Sequence, residues 1–288
     1  MAYRKEQGGG LSPATRITQE IIARLEAGTK PWIKPWRGVP VSRPLRACGI
    51  PYRGMNVFWL WMVADMCGYA SPFWMTYNQA KSLGAQVRKG EKSTIAIFYK
   101  SYTKEVQAPD TGEKTDEARR VLKAYPVFNA DQVEGLPERF HPAVTLDLVE
   151  PEGREAELDA FFAAIPVNLR RQGCEAYYEP TADRVTMPPT SLFSGLDHYY
   201  ATLAHELSHW TGHASRLGRD LKNRFGTAAY AAEELVAELS SAMLGAELGL
   251  PVTHLDSHAS YIEHWLKLLK DDDRAILTAA AKAEEASS

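Results

Sequence analysis

The sequence predicts an α+β protein built from two domains, a small basic α+β domain and a mainly helical domain with a small β-sheet. Three observations lead to this prediction. The chain has 288 residues, which is long for one domain and comfortable for two. Up to residue 110 the chain holds 16 Lys and Arg against 7 Asp and Glu, whereas the remainder holds 17 against 29. Strand-like segments lie in the first half, and helical segments dominate the second.

The domain boundary is expected where turn signals interrupt the predicted elements. Glu134-Gly135 and Leu136-Pro137 are such signals. We therefore expect a first domain at 1–130, a linker at 131–150 and a second domain at 151–288.

The first domain is expected to contain three helices and two strands. Apolar residues at helical spacing and capping residues such as Asn56 and Thr76 predict the helices, and β-branched and aromatic residues predict the strands. The helices are predicted at 13–27, 57–66 and 77–83, and the strands at 93–100 and 121–128. Between the strands, the polar segment 105–120 predicts a mobile hairpin tip or an insertion.

The second domain is expected to be mainly helical. Helices are predicted at 153–165, 197–213, 227–248 and 257–286, the last as one or two helices. A short β-hairpin is predicted around Pro180 and Asp183, because strand-like residues flank these turn formers on both sides.

The composition is that of a soluble globular protein, with 45% hydrophobic and 24% charged residues. No apolar run is long enough to span a bilayer, and the polar N-terminus lacks the apolar core of a signal peptide. Three scattered cysteines argue against a disulfide framework and against a zinc site built from cysteines. These features predict a cytoplasmic protein without a membrane partner.

The strongest chemical signal is His-Glu-Leu-Ser-His at residues 205–209. On a helix, His205 and His209 lie on one face, one turn apart, so both imidazoles can converge on one tetrahedral ion. Glu206 stands beside the first histidine, where it can take a proton from a water molecule that the ion has polarised. The pattern predicts a zinc-dependent hydrolase, although other divalent ions also suit these ligands.

A catalytic zinc ion needs a third protein ligand, and residues 230–244 of the helix predicted at 227–248 offer three acids. Glu234 and Glu238 share one face of that helix, whereas Glu233 is turned about 100° away from Glu234. We predict that Glu234 binds the metal and that Glu238 accepts the second N–H of a ligand histidine. The reverse assignment stays open.

Three alternatives to this interpretation stay open. His213, four residues past His209, is a competing ligand, although Gly212 suggests that the helix ends there. A metal site that is structural or proteolytically inactive is the second alternative, but such a site has no need of Glu206. A nuclease is the third, yet two histidines and a glutamate suit zinc better than the carboxylate-rich magnesium sites of nucleases.

A basic and aromatic segment lies near the N-terminus, and from Ala27 to Ala64 it contains no acidic residue. Cations neutralise phosphates and aromatic faces stack on unpaired bases, so the segment predicts binding of single-stranded nucleic acid with little sequence preference. Trp32 and Trp36 are expected to be exposed for this purpose. Together with a basic turn around Gly90, the predicted contacts are Lys30, Trp32, Lys34, Trp36, Arg37, Arg43, Arg46, Arg53, Arg88, Lys89 and Lys92.

Long motifs in both halves resemble one family. The first half resembles the N-terminal single-stranded-DNA-binding domain of ArdC-type antirestriction proteins in ITQEIIARLEAGTKPWIKPW, YRGMNVFWLW, SPFWMTYNQAKSLGAQVRKGEKST and YPVFNADQVEGLP. The second half resembles the metallopeptidase domain of that family in RVTMPP, TLAHELSHWTGH and YAAEELVAEL. The chain is also similar to the N-terminal part of plasmid primases of the TraC type.

The resemblance implies a protein of a plasmid or mobile element that binds incoming single-stranded DNA and protects it from host restriction endonucleases during conjugation. It also implies a zincin-like fold for the second domain, with metal ligands at His205, His209 and Glu234. The resemblance implies neither a peptide substrate nor proteolysis; host restriction-system proteins are the candidate substrates. Glu238 stands where related zincins usually have asparagine or aspartate.

Overall fold

The computed structural model describes residues 11–30, 32, 42–107, 114–141, 153–221, 227–250 and 259–288. The α+β class is confirmed, since helices and strands occur in both halves of the chain. Within these ranges, no helix is both long enough and apolar enough to cross a membrane.

The helices follow the predicted positions to within two residues at each end. They are α1 (Pro13–Glu26), α2 (Met55–Cys67), α3 (Tyr77–Ser82), α4 (Arg154–Ala163), α5 (Leu196–Thr211), α6 (Ala228–Leu248), α7 (Ala259–Asp271) and α8 (Ala275–Ala286). The strands are β1 (Leu45–Arg46), β2 (Phe73–Met75), β3 (Gln86–Val87), β4 (Thr94–Gln107), β5 (Lys114–Asn129), β6 (Val133–Glu134), β7 (Asn168–Arg171), β8 (Tyr177–Glu179) and β9 (Arg184–Met187).

The main sheet has the strand order β1-β2-β5-β4. Strands β5 and β4, at one end of this order, form a long antiparallel hairpin. Thr94 is opposite Val127 at one end of the hairpin, and Gln107 is opposite Lys114 at the other. The prediction of a hairpin tip or insertion over 105–120 is wrong for most of that segment, because both strands continue into it. Backbone hydrogen bonds between two strands do not require apolar side chains. The polar composition of this segment therefore did not indicate that its residues form strands.

Residues 131–141 pack against the first half of the chain, although a linker was expected to begin at 131. Strand β6 pairs with β3, with Val133 opposite Val87. Phe140 is fully buried and meets the ring of Phe73 edge-on at a centroid distance of 5.0 Å. The described part of the N-terminal unit therefore extends to His141.

One hydrophobic core joins the two halves of the chain. Ile17 and Ile21 of α1 are buried in the same cluster as Leu235 of α6 and Trp265 of α7. Helix α2 also enters this core, and its residues are apolar on nearly every side. Three tryptophans of the first half, Trp59, Trp61 and Trp74, are also buried. The N-terminal unit and the helices of the second half are therefore held together by shared apolar burial.

A second hydrophobic core surrounds α5 and positions it. Leu203 and Leu207 of α5 are buried there with Val185 and Met187 of β9, the central strand of the sheet β7-β9-β8. Helix α6 packs along α5 and contributes to both cores. This arrangement fixes the rotation of both helices and thereby decides which side chains they turn toward each other.

Candidate metal centre

The two histidines of the His-Glu-Leu-Ser-His segment lie on α5 as the sequence predicted. Their rings meet edge-on with a centroid distance of 4.9 Å and an interplanar angle of 82°. His205 and Glu206 are each only 8% exposed, so the centre is largely removed from bulk water. The four-residue spacing puts both imidazoles on the face that α5 turns toward α6.

Glu234 of α6 completes a group of three side chains. Its Oε2 lies 3.7 Å from Nε2 of His205, and its Oε1 lies 3.6 Å from Nε2 of His209. Among the described residues, His205, His209 and Glu234 offer ligand atoms that all lie within 4.8 Å of one another. The third ligand that the sequence analysis proposed is thus in position.

These distances can be tested against the geometry of a bound ion. Tetrahedral zinc with bonds of about 2.0–2.1 Å holds neighbouring ligand atoms roughly 3.4 Å apart. The Nε2–carboxylate distances of 3.6 and 3.7 Å are slightly longer than this value and too long for good hydrogen bonds. The three residues therefore fit a divalent cation between them better than direct contact with one another.

Glu233 supports one of the two histidines. Its Oε1 lies 3.3 Å from Nδ1 of His209, on the side of the ring opposite Glu234. The guanidinium of Arg219 donates to both oxygens of Glu233 at 2.9 Å. Burial raises the pKa of Glu233, but the hydrogen bonds from His209 and Arg219 outweigh it and hold that pKa below its usual value. The carboxylate is therefore ionised and able to orient the imidazole.

The expectation that Glu238 accepts a histidine N–H is wrong. Its Oε1 instead accepts hydrogen bonds from Nε1 of Trp32 at 3.1 Å and from Nζ of Lys30 at 3.2 Å. Glu238 lies one turn beyond Glu234, and at that level α6 meets the N-terminal segment rather than α5. Nδ1 of His205 is buried without a hydrogen-bond partner among the described residues.

The electrostatics of the centre favour a positive charge between α5 and α6. Burial alone lowers the pKa of His209, but Glu233, Glu234 and Glu206 outweigh it and raise that pKa to about 9. Burial raises the pKa of Glu234, but His205 and His209 reverse the effect and lower it to about 2. A cation bound between these groups would be stabilised by the same carboxylates.

Glu206 is placed beside the three candidate ligands without being one of them. It follows His205 on α5, and its charge acts on both His209 and Tyr261. No hydrogen bond to its carboxylate occurs among the described residues, so its oxygens are available to a water molecule. His213, the alternative ligand, stands apart from the group, because its Nδ1 contacts Oγ of Ser215 at 2.8 Å.

Two tyrosines that were not predicted from the sequence adjoin the centre. The hydroxyl of Tyr230 hydrogen-bonds to the carboxylate of Glu234 and lies 3.0 Å from the hydroxyl of Tyr261. Either hydroxyl can donate within the tyrosine pair. Burial raises the pKa of both tyrosines, which keeps their protons in place. The spacing of four residues between Tyr230 and Glu234 on α6 was the signal that could have identified the first of them.

Three of the residues predicted to contact nucleic acid contact other residues of the protein instead. Trp32 was expected to be exposed, but it is 2% exposed and packs edge-on against Trp265 at 5.6 Å. Lys30 is paired with Glu238. Arg43 is 9% exposed, and its Nη1 donates to Oε1 of Glu284 at 2.8 Å. The prediction that these three residues contact nucleic acid is wrong, because each is paired with or packed against a residue distant in the sequence.

The other predicted contacts that the structure describes come from two separate segments of the chain. The exposed ones are Arg46, Arg53, Arg88, Lys89 and Lys92. Arg46 lies over the ring of Tyr52 at 5.2 Å, and Arg88 is paired with Glu91 at 2.6 Å. The predictions for Lys34, Trp36 and Arg37 lie outside the described residues.

Comparisons with known proteins agree with the two-part architecture. The family model described as the N-terminal domain of anti-restriction factor ArdC matches residues 12–128, and that of a zincin-like metallopeptidase matches residues 156–282. The uncharacterized protein y4eC of Sinorhizobium fredii (strain NBRC 101917 / NGR234) is 40% identical over 277 residues, covering 94% of this chain and 88% of y4eC. A DNA primase TraC of Escherichia coli is 39% identical over 288 residues, but the match covers only 26% of the primase and 94% of this chain.

Two crystal structures of the antirestriction protein ArdC from plasmid R388 are similar to the whole chain. The metal-free structure has a TM-score of 0.81 and 45% sequence identity, and the Mn(II)-bound structure has a TM-score of 0.78 and 43% identity. Each comparison covers 96% of this chain and 96% of the other. The 45% identity to ArdC over 96% of both chains, together with the two family matches, shows that the chain belongs to the ArdC antirestriction family.

Proposed function

We propose that this protein is a divalent-metal-dependent peptidase joined to a module that binds single-stranded DNA, and that it protects incoming plasmid DNA from host restriction endonucleases. The single observation that carries the peptidase part is the convergence of His205, His209 and Glu234, with Glu206 beside them. The N-terminal unit, residues 11–141, would bind the DNA, and residues 153–288 would carry the hydrolytic centre.

The proposed chemistry divides the work among the residues of the centre. A divalent cation held by His205, His209 and Glu234 supplies Lewis acidity, which for zinc lowers the pKa of water to about 7. Glu206 takes the proton from the attacking water and delivers it to the leaving amine nitrogen.

Two further residues would keep the ligands in place. Glu233 holds the ring of His209 through Nδ1, so that Nε2 faces the ion. Tyr230 holds the carboxylate of Glu234 by a hydrogen bond. Burial of the centre strengthens each of these interactions, because fewer water molecules screen them.

Zinc is the proposed metal. Two imidazoles and one carboxylate are a ligand set that suits zinc in hydrolytic sites. The same set also binds neighbouring first-row ions, and a related ArdC structure is described as Mn(II)-bound. Equilibrium dialysis of the chelated protein against equimolar zinc and manganese, followed by elemental analysis, would measure the preference directly.

The peptidase proposal is tested by Glu206→Gln. This substitution keeps the size of the side chain but removes the base, and loss of a general base costs about 10²–10⁴-fold in rate. Wild type, Glu206→Gln and the exposed control Glu157→Gln would be incubated with labelled casein and with a lysate of restriction-proficient cells, and cleavage products would be identified by mass spectrometry. We expect cleavage by wild type and by the control only, with equal metal content in all three proteins.

The alternative is an antirestriction protein whose metal site is structural or proteolytically inactive. Wild-type protein that cleaves nothing in either mixture would favour this alternative. Cleavage by Glu206→Gln at the wild-type rate would refute the mechanism while leaving a peptidase in place.

The DNA-binding proposal is supported by the charge distribution and by the match to the ArdC N-terminal domain. The first 110 residues carry more than twice as many basic as acidic residues, which favours a polyanionic partner. Three exposed free cysteines suit a reducing compartment, and we propose that the protein acts in the cytoplasm. Fluorescence anisotropy with a labelled dT20 strand and with a labelled duplex would test the proposed preference for single-stranded over duplex DNA. Tighter binding of the duplex would contradict it.

A further inference from the structure

The β4–β5 hairpin carries an exposed face that the proposed metal chemistry does not use. Directly opposite residues of an antiparallel pair lie on the same face, and every second residue along a strand does so as well. Phe98 is opposite Lys123, and Ala96 is opposite Tyr125. The hairpin face is therefore formed by Phe98, Lys100, Tyr102, Val121, Lys123 and Tyr125.

Large apolar side chains on this face remain in solvent. Phe98 is 43% exposed, Tyr102 is 44% exposed and Val121 is 37% exposed. Phe98 and Tyr125 contact each other edge-on at a centroid distance of 5.7 Å, so the rings form a continuous aromatic surface. Contiguous exposed apolar surface on a protein of this kind marks a binding site more often than chance.

The charge of the hairpin face identifies the kind of ligand. Lys100 and Lys123 are exposed, and neither forms an ion pair with another described residue. The strand segments 92–104 and 118–130 contain no acidic residue at all. A surface of aromatic rings and unneutralised cations is complementary to a polyanion with flat bases.

The hairpin face continues toward one of the basic residues singled out in the sequence. Tyr125 hydrogen-bonds to Tyr52, and the guanidinium of Arg46 lies 5.2 Å from the centre of the Tyr52 ring. Arg46 is itself exposed. Tyr52 is itself only 2% exposed and adds no ring to the hairpin face, but its contacts with Tyr125 and Arg46 place the exposed arginine near that face.

We propose that single-stranded DNA lies along the hairpin face, with its bases stacked on Phe98 and Tyr102 and its phosphates against Lys100, Lys123 and Arg46. This inference rests on the proposed function, because it names the surface that performs the DNA binding. Phe98 and Tyr102 are four residues apart on one strand, which corresponds to about 13 Å along the strand. Lys100 lies between them on the same face. An unpaired strand can extend beyond the 3.4 Å rise of stacked bases to span this distance, whereas a duplex keeps its base faces covered.

Substitutions on the hairpin face would measure the contributions of stacking and of charge to DNA binding separately. Phe98→Ala with Tyr102→Ala removes two stacking surfaces and is expected to weaken binding of fluorescein-labelled dT20 at least tenfold. Lys100→Gln with Lys123→Gln removes two phosphate contacts. The slope of log K against log salt should then become shallower by about 1.4, since each phosphate contact on a single strand contributes about 0.7.

Matched controls come from exposed residues elsewhere. Tyr177→Ala with Lys282→Gln removes one exposed ring and one exposed cation from the second half of the chain, and dT20 affinity should stay within twofold of wild type. All substituted residues are solvent-exposed, and unchanged melting temperatures would show that the variants are folded.

The outcomes distinguish this inference from the function on which it rests. Wild-type protein that fails to bind dT20 would refute the proposed DNA binding and the hairpin inference together. Hairpin variants that bind dT20 as tightly as wild type would overturn the hairpin inference alone. Photocrosslinking with a bromodeoxyuridine strand should modify Phe98 or Tyr102, and crosslinks confined to other regions would also overturn it. An unlabelled duplex that competes as well as unlabelled dT20 would exclude stacking as the mode of binding.

Discussion

The indole Nε1 of Trp32 donates a hydrogen bond to Oε1 of Glu238 over 3.1 Å, and this bond joins the N-terminal segment to the helix that carries the candidate metal ligand. Lys30 donates to the same oxygen and lies 5.7 Å from the centre of the Trp265 ring. Glu238 is one turn from Glu234. The two units are therefore connected by buried polar contacts within one helical turn of the metal centre, in addition to their shared hydrophobic core.

Replacing Glu238 should affect stability and leave metal binding intact. Glu238→Ala removes a buried acceptor from Trp32 and Lys30, and we expect a loss of about 2–4 kcal/mol in the free energy of unfolding. Metal affinity should change less than threefold, because the carboxylate faces away from the histidines. Urea denaturation and calorimetric titration of the metal would measure both quantities, with the exposed Glu285→Gln as control. A tenfold loss of metal affinity at unchanged stability would restore the role first predicted for Glu238.

Replacing Glu234 and Glu233 should rank their roles. Glu234→Gln removes a ligand, and we expect metal affinity to fall more than a hundredfold. Glu233→Gln keeps all three ligands and weakens only the hydrogen bond to His209. For such a change, a loss of metal affinity of about 10–100-fold is typical. Titration of the chelated variants with zinc would give both values, and a melting curve would report the effect of losing the ion pair with Arg219. If Glu233→Gln proved the more damaging to metal binding, the ligand assignment would be reversed.

Metal should stabilise the protein without being required for its fold. At a free concentration of 100 times the dissociation constant, an ion that binds only the native state adds about 2.7 kcal/mol. Because two hydrophobic cores are buried without any metal contact, the chelated protein should keep its circular dichroism spectrum. Scanning calorimetry with zinc and with EDTA would show the difference in melting temperature. His205→Ala should abolish that difference, and a persistent shift would indicate binding elsewhere.

Removing the two tyrosine hydroxyls should have unequal effects. Tyr230→Phe deletes the hydrogen bond to Glu234, so we expect a loss of metal affinity of less than tenfold. Tyr261→Phe deletes the bond to Tyr230 and leaves the bond between Tyr230 and Glu234 in place, so its metal affinity should match wild type. Both substitutions keep the stacked rings, which makes each a control for the other. Equal losses from the two variants would show that the pair acts as one unit.

The Asp183–Arg216 ion pair should make a pH-dependent contribution to stability. The hydrogen bond from Arg216 lowers the pKa of Asp183 from 3.8 to about 2. A depressed pKa in the folded state stabilises at pH values above 3.8, and the contribution disappears as the pH falls toward 2. Because about a third of the Asp183 side chain is exposed, Asp183→Asn should cost less than about 1 kcal/mol at neutral pH. Urea midpoints of both proteins at pH 7, 5, 4, 3 and 2 should approach each other below pH 4 and converge near pH 2, and a constant difference would contradict the assignment.

Local interactions explain why most helices could be predicted from the sequence. Helix α3 begins at a capping box in which Thr76 and Gln79 satisfy each other's backbone N–H groups, so the signal lies within four residues. Asn56 shows where such reasoning fails. It was expected to cap α2, but its amide forms two 2.8 Å hydrogen bonds with the backbone of Ile97, and the helix begins at Met55. The short strands β1, β2, β3, β6 and β7 were missed because their partners are distant in sequence.

The sequence by itself determined the pair of histidines and the neighbouring glutamate, because their spacing on one helix brings the two rings together whatever surrounds them. Only the tertiary structure decided which side chains Glu233, Glu234 and Glu238 contact. Acids on one helix point in several directions, and the packing of α6 between α5 and the N-terminal segment selects which of them meets a histidine. The same packing buried Trp32, which composition alone had placed in solvent, since a tryptophan in a Pro- and Lys-rich segment becomes core only when a distant helix covers it.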